Sequence, residues 1–104
     1  MKEAEITKRA IEKLQGDGYV VWKPNKVKFM QNDIFGVFDL IAVRRGSAPI
    51  FIQLTTYSNA SKRCRKIMKF FVDNNVSLVH SYVWAWQVDK FRRYVVLPDA
   101  YGEV

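Results

Sequence analysis

Asp39 stands inside an otherwise apolar run, residues 37–43 (VFDLIAV). Aspartate is depleted in strands, and a buried unpaired carboxylate is costly. This one therefore needs a cation, a metal or hydrogen-bond donors. A plainer reading puts it at a strand end, bonded to a backbone amide. A second apolar run, residues 50–56 (IFIQLTT), carries Gln53 and Thr55 two residues apart and hence on one face. A turn over residues 44–49 would fold the two runs into a hairpin and bring Asp39 close to Gln53. A carboxylate, an amide oxygen and a hydroxyl make an oxygen-donor set suited to Mg²⁺ or Mn²⁺. Such an ion polarises a phosphate and activates water. Asp33, six residues earlier, is either a further acid for this set or a solvated turn aspartate.

The elements that would carry these residues follow from periodicity. Residues 2–15 read as a helix: Ile6, Ala10 and Leu14 recur at i, i+4 and i+8, and Gly16, Asp17 and Gly18 stop it. At 100° per residue Glu3 falls on the apolar side with Thr7, whereas Glu5 and Glu12 fall nearly opposite. Glu3 is thus the glutamate of this helix expected to reach inward, and Thr7 is placed to bond a ligand. A short β-prone run covers residues 19–22, broken by Pro24. Strands are expected over residues 37–43 and 50–56, with Gly46 in the turn between them. Both runs are nearly continuously apolar, as in a sheet covered on both faces. A second helix is expected over 59–73, with Ser58 or Asn59 as its cap and Ala60, Cys64, Ile67, Met68 and Phe71 on one face. Strands over 78–86 and 91–97 would form a hairpin around residues 87–90. The order is α-β-β-β-α-β-β: a single α/β or α+β domain, residues 1–104, with one sheet between two helices.

Composition bounds the partners. Apolar residues are 49% and charged residues 26%, which excludes whole-chain disorder. No apolar run is long enough for a membrane helix, and no apolar leader follows Lys2. One cysteine, Cys64, permits no internal disulfide, and no Cys/His set suggests zinc. A reducing cytoplasmic setting fits. Seventeen Lys/Arg against ten Asp/Glu give +7, an excess that suits a polyanionic partner, nucleic acid first. The second helix concentrates it: Lys62, Arg63, Arg65, Lys66 and Lys69 fall within eight residues. No acid interleaves them, so salt-bridge lacing within the helix is not expected and a phosphate track is, extended by Lys23, Lys26 and Lys28. The alternative is a solvated face. Tyr82, Trp84 and Trp86 alternate onto one face, for core packing, an interface, or base stacking. His80 has no serine or cysteine in a triad pattern.

Residues 33–43 (DIFGVFDLIAV) followed by residues 50–55 (IFIQLT) resemble the PD-(D/E)XK nuclease superfamily. The segment 53–59 (QLTTYSN) through Arg63, Lys66 and Ile67 is similar to a Q-x-T-S-x-S-N…R…K-I pattern of small phage and prokaryotic proteins. These are related to Holliday-junction resolvases and VRR-type nucleases. The resemblance covers roughly residues 7–70. It implies a restriction-endonuclease-like αβββαβ core on a mixed sheet, and Mg²⁺- or Mn²⁺-dependent hydrolysis of DNA, with branched or structured DNA as one substrate. It also implies a phage source acting in the host cytoplasm, and a homodimer. Asp39 matches the metal aspartate, with Asp33 or Glu3 completing the shell. Gln53 stands where the second acid usually stands, and Thr55 where the catalytic lysine stands. Glutamine keeps a ligand oxygen but loses a charge, and threonine supplies no cation. Lys66 or Lys62 would then replace the lysine, with Arg63, Arg65, Lys69, Lys28 and Asn59 on the nucleic acid. If no residue replaces it, the fold binds nucleic acid without cutting it.

Overall fold

A computed structural model describes residues 2–25, 33–78 and 80–104. Lys26 and Lys28 lie outside them. The chain runs α1 (Glu3–Gly16), β1 (Val20–Trp22), β2 (Leu40–Val43), β3 (Ile50–Thr56), a 3-10 turn at Tyr57–Asn59, α2 (Ala60–Asn74), β4 (Ser81–Gln87), β5 (Lys90–Val96) and β6 (Tyr101–Glu103). The six strands form one mixed sheet in chain order, β1-β2-β3-β4-β5-β6. Every neighbouring pair is antiparallel except β3–β4, which α2 connects in parallel. That exception follows from the connection: tight turns return a chain antiparallel, whereas a crossover helix returns it parallel.

The helices sit on opposite faces of the sheet, which explains why the central strands are apolar on both sides. Ile6, Ala10 and Leu14 of α1 pack on Leu40, Ala42, Ile52, Leu54 and Trp84. Cys64, Ile67 and Phe71 of α2 pack on Val37, Phe38, Val83 and Val96. Each fully buried Leu, Ile, Val or Phe among them contributes about 1.5–3 kcal/mol. Cys64 is core rather than reactive: it is fully buried, and burial pushes its thiol up to about 11. Trp84 is core as well, at 4% exposure, while Tyr82 and Trp86 remain half-buried beside it. No helix among the described residues is long and apolar enough to cross a membrane.

Several boundaries differ from those expected. The strand expected from residue 37 begins at Leu40. Val37 and Phe38 are instead the closing arm of a tight reversal in which the Ile34 amide donates to the Phe38 carbonyl at 2.7 Å. Apolar content marked these residues as buried but could not distinguish strand from turn. The strand expected from residue 78 begins at Ser81, and the last hairpin is shifted by one residue at β5. The strand β6 was not anticipated, because three residues after Pro98 carry too little pattern. Asn59 occupies the N-cap position of α2 without a side-chain capping bond; its side-chain Nδ2 donates to Thr56 Oγ1 at 3.2 Å. The expected absence of ion pairs on α2 is corrected by Lys69, which bonds Asp73 at 2.5 Å across one turn. Asp73 lies just beyond the basic run.

The β4–β5 hairpin stores strain at its tip. Val88 has φ 56°, and the Asp89 amide donates to the Gln87 carbonyl at 2.6 Å, which is a three-residue γ-turn. A β-branched residue is costly there, and Val88 is 89% exposed, so its side chain gains nothing in return. Val88→Gly should raise stability by about 1 kcal/mol and Tm by about 5 °C. Thermal unfolding followed by circular dichroism checks this; an unchanged or lower Tm would show that the turn is unstrained.

Candidate functional site

The β2–β3 hairpin closes through a turn with Gly46 at φ 79°, and its register pairs Leu40 with Ile52. Asp39 extends that ladder by one residue, its amide donating to the Ile52 carbonyl at 2.8 Å. The hairpin thereby brings Asp39 to Gln53, as the sequence led one to expect. Asp39 Oδ2 accepts two hydrogen bonds, from the Leu54 amide at 2.7 Å and from Gln53 Nε2 at 2.8 Å. Asp39 thus lies at a strand end and bonds a backbone amide, as its plainer reading required. It also faces a cleft, and the two descriptions hold together.

Gln53 is 4% exposed, and its amide nitrogen is fully committed: it donates to Asp39 and to the Leu54 carbonyl at 3.2 Å. The reverse orientation would press the amide oxygen against a carboxylate and a carbonyl. Gln53 Oε1 therefore points away, and it is buried with no hydrogen-bond partner. Such a buried acceptor without a donor costs about 1–3 kcal/mol. Thr55, two residues on and 8% exposed, shares the same cleft.

Asp33 returns to Asp39 through the reversal at residues 33–38. Phe35 and Gly36 have φ 55° and 74°, two successive left-handed residues as in a type I′ turn. Glycine adopts this region freely, whereas phenylalanine is strained in it. The Phe35 ring is held by stacking on Phe70 of α2 at 5.6 Å. Asp33 and Glu3 both act on Asp39 by charge. Burial, and then these like charges, raise its carboxyl from 3.8 to about 6, against the Leu54 amide bond that lowers it. Glu3 lies at the exposed rim. Thr7 lines the adjoining space, but its hydroxyl is spent on the Glu3 carbonyl at 3.1 Å.

The cleft holds about 220 Å³, and Asp33, Asp39, Gln53, Thr55, Asn59 and Arg63 are among its lining residues. It opens beside a larger hollow of about 630 Å³ along α1, which shares Glu3, Asp33 and Asp39 and adds Lys8 and Lys23. Among the described residues, the cation of the smaller cleft is Arg63. Lys62 and Lys66, expected to stand in for the missing lysine, do not line it. Helix geometry explains the substitution. Arg63 lies one turn from Asn59 on the face over the sheet; Lys62 is rotated 100° away and exposed, and Lys66 flanks the next turn, half-buried. Arg65 and Lys69 are exposed. Arg63 Nε is itself buried without an acceptor, and Arg63 joins none of the ion pairs among the described residues. One cleft thus holds an unpaired acceptor, an unpaired donor and a group of acids.

No protein-family model, curated protein or solved structure matches this chain. The chemistry of the site therefore rests on its own residues.

Among the described residues no three His, Cys, Asp or Glu side chains stand close enough together to hold a metal. The donors are instead Asp39, the free Gln53 Oε1, and one of Asp33 and Glu3. This mixed oxygen set fits Mg²⁺ or Mn²⁺, which bind through one or two carboxylates and keep several waters. A cation there would answer both the orphaned oxygen and the mutual repulsion of the acids.

Proposed function

We propose that this chain is a metal-dependent nuclease of the PD-(D/E)XK type, hydrolysing phosphodiester bonds of DNA, including branched or structured DNA. The observation that carries the reading is one cleft where Asp39 meets Asp33 and Glu3 beside Arg63 and Gln53, whose Oε1 is a buried acceptor without a donor. The element order α-β-β-β-α-β, with Asp39 at the mouth of β2 and Gln53 and Thr55 on β3, supports it further.

Asp39 and Gln53 would hold the ion, with Asp33 or Glu3 completing its shell. A divalent ion supplies charge neutralisation at the phosphate and a lowered pKa for water. The chain's own residues do the rest. The Leu54 amide and Gln53 Nε2 fix the Asp39 carboxylate in one orientation. Arg63, whose Nε–H has no acceptor, offers its guanidinium to a phosphate oxygen, a charge-assisted bond that strengthens as negative charge grows in the transition state. Asn59 flanks Arg63 one turn earlier. Lys62, Arg65, Lys66 and Lys69 form the outward basic face of α2, suited to the nucleic-acid backbone.

A second reading is a nuclease-fold module that binds nucleic acid without cutting it. Gln53 and Thr55 in place of an acid and a lysine favour it. Labelled duplex, single-stranded and four-way-junction DNA, incubated with Mg²⁺, Mn²⁺ or EDTA, separate the two. The nuclease reading expects cleavage that requires metal and disappears in Asp39→Ala. Binding without cleavage under every metal supports the second reading instead.

A further inference from the structure

The two helices leave different parts of the sheet uncovered. α1 packs over β1, β2 and β3 and reaches Trp84 of β4, whereas α2 packs over β3, β4 and β5. On the α1 side, Trp84 and Trp86 of β4 face Arg93 and Phe91 of β5 across the ladder. The space between the flank of α1 and β5 is a groove of about 560 Å³. Its floor is Trp86 and Phe91, in edge-to-face contact at 5.0 Å. Arg9 and Lys13, one turn apart on α1, form one wall, and Lys90 and Arg93 the other. Glu12 and Asp89 also line it, so four cations meet two carboxylates.

The cations are held ready rather than neutralised. The Arg9 guanidinium lies over the Trp86 ring at 5.4 Å, and Arg93 over Trp84 at 5.8 Å. Arg9 also stands 3.9 Å from Glu5, an exposed pair of the kind that contributes little. Lys13, Lys90 and Arg93 enter no ion pair among the described residues. Guanidiniums oriented on rings lose less freedom when they bind phosphate. Cations beside half-exposed aromatics are what a single strand needs: phosphates meet the charges, and unpaired bases meet the rings. A duplex keeps its bases stacked away from such a floor.

We propose that the groove between α1 and the β4–β5 hairpin binds single-stranded nucleic acid, at a surface separate from the Asp39 cleft. The two lie on opposite flanks of α1: Ala4, Thr7 and Lys8 border the hollow beside the cleft, Arg9 and Lys13 border the groove, and Glu12 on the outward face between them borders both. The inference rests on the reading of this chain as a nucleic-acid protein, but not on its cutting anything.

The test is fluorescence anisotropy of labelled single-stranded and duplex DNA in EDTA with Lys90→Glu/Arg93→Glu. Both residues are exposed, and Lys90→Gln/Arg93→Gln provides a milder second variant. Lys2→Glu/Arg45→Glu changes net charge equally at exposed positions outside the groove and serves as control. Single-strand affinity should fall at least tenfold in the groove variants, with the salt slope reduced by about 1.4 for two lost phosphate contacts. The control should change less than twofold. Equal losses in groove and control variants, or an equal loss on duplex, would overturn the proposal. Asp39→Ala should bind single strands as the parent chain does. If that binding holds while the parent cuts nothing, the nuclease reading fails and the groove stands.

Discussion

Asp39→Asn is expected to abolish cleavage and, in metal-free buffer, to stabilise the fold. The Asp39 carboxyl is raised from 3.8 to about 6, first by burial and then by Asp33 and Glu3. The native state therefore holds this proton through a pH window in which the unfolded chain has already released it. Stability falls as pH rises through that window, because the native state binds more protons there, and it levels off above pH 6. The ionised carboxylate costs the fold about 3 kcal/mol at pH 8. Asparagine keeps an oxygen for the Leu54 and Gln53 donors and removes the charge. The variant should match the parent below pH 4 and exceed it by about 1–3 kcal/mol at pH 8. Urea unfolding at a series of pH values, with EDTA present, reads this difference directly. A parent that outlasts the variant at pH 8 would mean that Asp39 is a stabilising structural carboxylate and not a group strained for function.

The second large effect falls on Arg63. Arg63→Met keeps the length of the side chain and removes its charge and donors. Cleavage should drop about 10²–10³-fold, the usual cost of losing one electrostatic partner of the transition state. The loss should lie mainly in kcat, since the cations on the outer face of α2 would still hold the substrate. Arg63→Lys should recover part of the rate: it restores the charge but not the planar fork. Lys62→Met and Lys66→Met should weaken binding and its salt dependence while leaving kcat close to the parent value. If Lys66→Met instead removed kcat and Arg63→Met did not, Lys66 would be the missing cation and would have to swing into the cleft.

These residues also show what a sequence can and cannot say about such a site. Asp39 was legible because a charge inside an apolar run has few cheap explanations, and Gln53 because a two-residue period and a glycine turn fix which side chains meet. The layered fold followed from the same patterns. Arg63 was legible only as a member of a basic run: five cations in eight residues point around most of a helix, and only the packing of Ala60, Cys64 and Ile67 on the sheet decides which of them lies over the cleft. Asp33 depended on a reversal with phenylalanine at positive φ, which local preference argues against and which the Phe35–Phe70 contact holds in place. The Lys69–Asp73 pair was hidden because Asp73 stands one turn beyond the basic run. Tertiary contact decided the places of Arg63 and Asp33 where local pattern left them open.

The central claim is that the Asp39 cleft is a divalent-cation site, and thermal unfolding with and without Mn²⁺ or Mg²⁺ tests it without requiring a substrate. A ligand that binds only the native state, at a hundredfold excess over its Kd, adds about 2.7 kcal/mol. Above pH 6 the parent chain should therefore melt several degrees higher with Mn²⁺ than with EDTA, and Asp39→Asn should melt at one temperature in both. A parent with no metal-dependent shift, or a shift shared by Asp39→Asn, would contradict the claim.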